Sequence, residues 1–476
     1  MKQIDTDYLI IGAGATGLAF ADTLLQESDA HITLVDKRAQ PGGHWNDAYP
    51  FVTLHQPSAF YGVNSLELDH GRQDTAGPNA GLHGLASGAE VSGYFQQVMQ
   101  HRLLSSGRVR FLPLTALRGG EGNTAEVVSL LTGAQTQITV RKKQVDARHF
   151  SPNVPATHPP TFPVAEGVRL VTPTQLVQLG QFGESDQPAP KRFCILGAGK
   201  TAMDVGVWLL NAGVAPEAIH WVVPRDSWVI NRITTQPGME FFNHSIGGQV
   251  KALRALAQAS SVDDLFARLE AEGQMLRIDR SVQPRMFHYA TMSEGEVQCL
   301  RQITQVIRKG RVTALTPEAL LLEQGRVDMD AASTLYIHCT ASAVVPRPTE
   351  PIFQPGKILP QLLRAPLISI SAALCAYVEV HYPDDATKNA LCTPVPFPSN
   401  VAGYVRATQV NMLNHMRWSQ DKALRGWMRD SRLDGFSKLV ASIDSADTEK
   451  LALLGELRQQ SMAAMANVSR LLENAA

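Results

Sequence analysis

The chain has 476 residues, 44% of them in the AVILMFWYC set and 18% charged, the make-up of a folded protein long enough for about three domains. That composition excludes a disordered tail, a collagen-like chain and a disulfide mini-scaffold. With 43 Lys plus Arg against 44 Asp plus Glu, no excess charge draws nucleic acid or an anionic membrane, and the expected partner is a small molecule.

Residues 7–11 form a short apolar run of strand type, followed by a glycine turn and a helix through about Gln26; a second strand is expected at 31–35. The apolar run 8–25 is broken by Gly12, Gly14, Gly17 and Asp22 and follows Asp5 and Asp7, which is not the pattern of a signal peptide. No uninterrupted apolar window of about 18 residues occurs, so no spanning helix is expected and the location expected is cytoplasmic. Pro41, Gly42 and Gly43 open a long irregular stretch to about Glu90, of the kind that is usually functional. Residues 126–140 read as a hairpin turning at Thr132-Gly133, and 145–147 as a closing strand. Five prolines in residues 152–163 mark a linker.

A second strand–glycine–helix unit begins at Arg192 and reaches a strand at 219–223. From about 247 to 306 the periodicity is helical, carried by Leu253, Leu256, Leu265 and Leu269. Strand character returns at 311–315, 319–322 and 334–339, and the tail from about Val401 is helical. The fold class expected is α/β, with two Rossmann-like dinucleotide-binding domains, a helical insert and a helical C-terminus. One domain comprises 1–165 and 335–476, the other is inserted at 190–334 with its helical insert at 247–306, and 151–189 form the linker region. The five cysteines (Cys194, Cys299, Cys339, Cys375, Cys392) include no CxxC pair, so buried, reduced thiols are expected and neither a redox dithiol nor a metal site.

The first glycine unit, Gly12-Ala13-Gly14-Ala15-Thr16-Gly17, is a complete GxGxxG. Gly12 permits the tight turn, Gly14 lets the backbone approach a pyrophosphate, and Gly17 lets helix and strand pack closely. Phosphates then sit on the helix N-terminus. Asp36, 24 residues after Gly12, stands where an acid accepts the hydroxyls of an adenosine ribose, with Lys37 beside it. The second unit is Gly197-Ala198-Gly199-Lys200-Thr201-Ala202, and the place of the ribose acid, 28 residues from Gly197, holds Arg225. A guanidinium binds a 2′-phosphate bidentately where a carboxylate repels it. Lys200 adds to that charge or is simply solvated, and Asp226 offsets Arg225 in part. Two such units, one acidic and one basic at the ribose, imply FAD on the first and NADPH on the second, with hydride passing from nicotinamide to flavin.

With these residues, and with Gly42-Gly43-His44-Trp45 and Met203-Asp204, the chain resembles the flavin-containing monooxygenases. More broadly it resembles the class B two-dinucleotide flavoproteins that include N-hydroxylating and Baeyer–Villiger enzymes. The resemblance is good over about 5–65 and 190–235 and looser at 336–341. It implies that Gly43 and Trp45 lie against the flavin, and that His55 and Gln56 fall beside flavin and nicotinamide as candidate catalytic residues; both also suit plain loop hydrogen bonding. The linker segment 162–173 lacks the histidine that such monooxygenases commonly carry, which lowers the expectation of Baeyer–Villiger activity. Arg277, Arg280 and Arg285 are read either as a grip for a carboxylate-bearing, amino-acid-like substrate or as a locally paired face.

The function implied is an FAD-dependent, NADPH-consuming monooxygenase that oxygenates an amine or thioether through a flavin peroxide adduct, with molecular oxygen as co-substrate. The alternatives are an FAD-dependent NAD(P)H reductase serving an external acceptor, and a non-catalytic flavoprotein redox sensor.

Overall fold

The structure, a computed structural model, describes residues 2–69, 71–150, 152, 154–179, 189–341, 344 and 347–473. The strand Lys2–Ile11 alternates exposed and buried side chains in its first half and is continuously buried from Tyr8 on, as befits a strand that enters a covered parallel sheet. It is central in an eight-stranded sheet. Ile32–Val35 and Val109–Leu112 lie parallel on one side, Gln135–Asp146 and Lys357–Ile358 on the other. Thr124–Ser129 pairs antiparallel with Gln135–Asp146, so the expected hairpin about Thr132-Gly133 is present.

The second sheet has five strands, all parallel, in the order Gln305–Ile307, Ile219–Val222, Arg192–Leu196, Thr334–His338, Leu170–Val171. In both sheets the glycine-turn strand is central and the next strand in sequence is its neighbour, the order that puts a ligand at the carboxyl ends of the strands. Two expectations about boundaries change here. Thr334–His338 pairs with Arg192–Leu196, so the chain leaves the second unit after this strand and not at 334/335. The expected linker supplies Leu170–Val171 to the same sheet; its residues 151, 153 and 180–188 lie outside the described set.

The expected helical insert is also mixed. Phe242–Gln258 and Val262–Ala271 are helices, but Met275–Leu276 and Met286–Met292 are strands flanking Ser227–Asn231. Leu253 to Leu269 carry a helical period, whereas Met286–Met292 alternates only over Phe287, His288 and Tyr289 and is continuously buried from Tyr289 to Met292, the run of a strand covered on both faces. The C-terminal helices do not serve the first unit alone. Val405, Ala464, Val468 and Leu471 share a core with Trp228 of the strand Ser227–Asn231 and with Leu256, Leu265 and Phe266 of the insert. The tail thus clamps the insert, while Ile368–His381 packs its buried residues onto the first helix, Ala15–Glu27.

Candidate active site at two dinucleotide turns

The first turn is enclosed. Gly12 has φ +104° and its N–H bonds the Val35 carbonyl at 2.8 Å, tying the turn to the neighbouring strand. A Cβ on Gly17 would overlap the Gly12 carbonyl oxygen, so only glycine lets the helix start this close to the strand. The helix Ala15–Glu27 has Gly14 as N-cap with no capping side chain, which leaves its first N–H groups, those of Ala15 and Thr16 included, for an anion. Gly42 and Gly43 form a roof. The Gly42 N–H bonds the Ala13 carbonyl at 2.8 Å, and a Cβ on Gly43, at φ +59°, would lie 3.0 Å from the Gly14 Cα.

Asp36 is buried, and its two carboxylate oxygens accept from the Ala13 N–H at 2.7 Å and the Arg38 N–H at 2.8 Å. Each oxygen keeps a lone pair for a ribose hydroxyl. Lys37 is exposed. Trp45 donates its indole N–H to the Tyr61 hydroxyl at 2.7 Å and packs, half-buried, on the first core. Burial first, and then the Arg38 charge, push the His44 imidazole down to about 4.

The second turn is open. Gly197 has φ +118°, and a Cβ there would meet the Cys339 carbonyl oxygen at 2.5 Å. Gly199, the N-cap of Lys200–Asn211, has nothing within 4 Å of an added Cβ and no capping side chain. Lys200 is neither a free charge nor a solvated residue: its side chain is 8% exposed and salt-bridged to Asp204 one turn on. Asp204 also accepts from the Tyr49 hydroxyl at 2.7 Å. Two residues further along the loop, Phe51 stacks on Trp208 with centroids 5.0 Å apart and planes at 19°. A three-residue stretch that follows the Gly-Gly-x-Trp segment is thus sewn along the second nucleotide helix. Tyr49 and Asp204 were not singled out as a pair from sequence, since 155 residues separate them.

The same loop brings His55 near Lys200 and Arg232 of the second unit. His55 is exposed, and the protein packed around it first, and the Lys200 and Arg232 charges second, lower its imidazole below the ordinary value. It is a neutral hydrogen-bonding group at pH 7. The Gln56 amide donates to the Phe60 carbonyl at 3.2 Å, the plain loop bond. Arg232 is fully buried and pairs with Glu296 at 3.1 Å and with Asn79 of the long irregular stretch at 2.6 Å, so that stretch is pinned to the second unit.

A cavity of about 570 Å³ adjoins the second turn, lined among others by Ala198, Trp221, Val223 and Asp226. Arg225 is exposed and is not on its wall. Asp226 does not pair with Arg225 but with Arg308. Of the three arginines read as a substrate grip, Arg277 pairs with Glu270 at 2.6 Å and Arg285 with Asp263 at 2.8 Å. Acids of one insert helix, Val262–Ala271, thus neutralise both; only Arg280 reaches the cavity wall. Cys194, Cys339, Cys375 and Cys392 are buried thiols. Among the described residues no cluster of His, Cys, Asp and Glu suits a metal ion, and no helix is long and apolar enough to cross a membrane.

A family model described as an NAD(P)-binding Rossmann-like domain matches residues 10–65, the span from the first turn through its glycine roof. Two mycobacterial proteins, Uncharacterized protein Rv2000 of Mycobacterium tuberculosis (strain ATCC 25618 / H37Rv) and Uncharacterized protein Mb2023 of Mycobacterium bovis (strain ATCC BAA-935 / AF2122/97), are each 42% identical over 443 residues. The alignment with each takes in 92% of this chain and 79% of the relative. Among solved structures, a cyclohexanone-bound cyclohexanone monooxygenase superposes with a TM-score of 0.50 at 14% identity, over 82% of this chain and 88% of that one. At that identity the likeness is one of fold: two parallel nucleotide-binding units in one chain.

Proposed function

This chain belongs to one family with those mycobacterial proteins, and on that premise we propose that it is an FAD- and NADPH-dependent oxidoreductase, a monooxygenase that oxygenates a small nucleophile such as an amine or a thioether. The observation that carries the reading is the stitch between an enclosed and an open dinucleotide turn, in which Tyr49 and Phe51 of the first unit grip Asp204 and Trp208 of the second. A hydride donor on one turn and an acceptor on the other have to meet at a fixed spacing, and such a splint holds it.

The first turn fits FAD. Its pyrophosphate needs the Cβ-free approach that Gly14 and Gly43 leave, and Asp36 is held by backbone N–H groups to face a ribose. The second turn fits a dinucleotide that comes and goes, with Gly199 open and the first N–H groups of Lys200–Asn211 uncapped. When bound, the flavin supplies hydride acceptance and oxygen activation, chemistry that side chains lack. The chain's own residues bind, orient and exclude water. Trp45 and Tyr61 wall the first turn; neutral His55 offers hydrogen bonds without adding charge beside Lys200 and Arg232.

The test is stoichiometry. NADPH oxidation, oxygen uptake and oxygenated amine or thioether should run one to one to one, with NADH much slower. NADPH oxidation that continues without oxygen once an electron-accepting quinone is added, and that yields no oxygenated product, overturns the monooxygenase in favour of a reductase. The linker segment at 162–173, with no histidine, is the feature that speaks for that second reading.

A further inference from the structure

By its place in the sequence, Arg225 is the residue expected to choose between NADPH and NADH. The cavity beside the second turn points elsewhere. After the strand Ile219–Val222 the chain presents Val223 and Asp226 to that cavity, and Arg225 turns to solvent. A carboxylate at this wall, left to itself, accepts the two hydroxyls of an unphosphorylated ribose and repels a 2′-phosphate.

It is not left to itself. Arg308 follows directly on Gln305–Ile307, the strand parallel to Ile219–Val222 with Ile307 beside Val222. That register sets its guanidinium against Asp226 in a fork: Nε to Oδ2 at 3.0 Å and Nη2 to Oδ1 at 3.0 Å. The same Nη2 reaches Asp279 Oδ2 at 2.9 Å. Asp226 is 15% exposed and Arg308 32%, so the fork is at the wall and partly sheltered from solvent. Arg301, also on the wall, is spent on the carbonyls of Ile278 and Arg277 at 2.9 and 2.7 Å, and Arg280 stands exposed next to it. The wall therefore holds three guanidiniums against two carboxylates, both of which are engaged by one of the three.

We propose that Arg308, more than Arg225, sets the preference of this site for a 2′-phosphorylated dinucleotide. It does so by chelating Asp226 and Asp279, which would otherwise face the phosphate, and by leaving the wall with an excess of positive charge. A phosphate monoester carries close to two negative charges at pH 7, so uncancelling two carboxylates beside it is a large perturbation, whereas an unphosphorylated ribose gains an acceptor by the same change. Arg308 is a positioning and specificity residue; it takes no part in the transfer of hydride.

The inference rests on the dinucleotide reading of the second turn, and its test separates the two. Binding of 2′-phospho-ADP-ribose and of ADP-ribose to the flavin-loaded protein is measured by calorimetry for the wild type, Arg308→Gln, Asp226→Asn and the double variant, with flavin content as the check on folding. The wild type should prefer the phosphorylated probe at least about tenfold, equal to about 1.4 kcal/mol. Arg308→Gln should lose that preference through weaker binding of the phosphorylated probe alone, with ADP-ribose unchanged or tighter. Asp226→Asn should bind the phosphorylated probe as well as the wild type or better, and the double variant should regain most of what Arg308→Gln lost. An Arg308→Gln protein that keeps the wild-type preference overturns the role of Arg308 and leaves the oxidoreductase reading intact. A wild type that binds neither probe, and whose flavin is reduced by neither NADPH nor NADH, overturns both.

Discussion

In the first glycine turn a Cβ added at Gly17 runs into the Gly12 carbonyl, and one added at Gly43 presses on Gly14; in the second turn the place of Gly17 is taken by Ala202, fully buried, and Gly199 faces open space. The strand ends differ in the same sense. Asp36 is buried and bonded to two backbone N–H groups, while Arg225 is exposed and Asp226 is held by a side chain from another strand. One sequence motif has thus been built at two degrees of closure. A roofed turn suits a ligand that stays through many cycles, and an unroofed one suits a ligand that must leave after each. The glycine count of a fingerprint reports that a dinucleotide can approach; what covers the turn decides how long it remains.

The comparison breaks most sharply on an exchange of residues. Gly17→Ala forces the first helix off its strand and should cost about 3 kcal/mol or more, with loss of bound flavin. The reciprocal change in the second turn, Ala202→Gly, should cost only about 1 kcal/mol and leave flavin in place. Flavin absorbance per chain and thermal unfolding read both, and equal losses would remove the distinction between the turns.

Next in size is a pH effect confined to the roof of the first turn. The folded His44 imidazole is depressed to about 4 from an ordinary 6.5. Between those values the unfolded chain binds the proton and the folded chain does not, so stability falls as pH drops below 6.5. At pH 5 this residue should account for up to about 2 kcal/mol of lost stability relative to pH 7, and His44→Gln should flatten that part of the profile.

Tyr49→Phe removes the hydroxyl given to Asp204 but keeps a ring beside Phe51. It should lower stability by about 1 kcal/mol and slow flavin reduction by saturating NADPH several-fold, with flavin content unchanged; an unchanged rate would reduce the stitch to a structural contact. The smallest effect belongs to Arg225→Ala. From its exposed position it should weaken NADPH about two- to fivefold and leave NADH alone, and a larger loss would return the 2′-phosphate to Arg225.

The two glycine turns, the acid at the end of the second strand, the hairpin about Thr132-Gly133 and the helical tail were all legible from local pattern, because each rests on residues close in sequence. What pattern could not supply was partnership. Which of Arg225 and Asp226 faces the cavity depends on the path of a loop, and the arginine that answers Asp226 comes 82 residues later. Lys200 reads as a free cation until Asp204 and Tyr49 are seen beside it. Within 247–306 the regular leucines of two helices masked the short run Met286–Met292, which is buried from Tyr289 on and carries little alternation, and only its pairing with Ser227–Asn231 makes that strand plain. The tail helices were expected from their stripe, but the stripe does not say that the surface it covers is the insert.

The segment from Tyr49 to Phe51 has a bearing on modular engineering. By sequence position it belongs to the first unit, yet Phe51 packs on the hydrophobic core of the second. A chimaera that imports the second unit of a relative by exchanging residues 190–338 alone would leave Tyr49 and Phe51 facing a foreign helix. The transplantable module is discontinuous: it comprises 190–338, the strand Leu170–Val171 that pairs with Thr334–His338, and Tyr49 and Phe51, which dock on it.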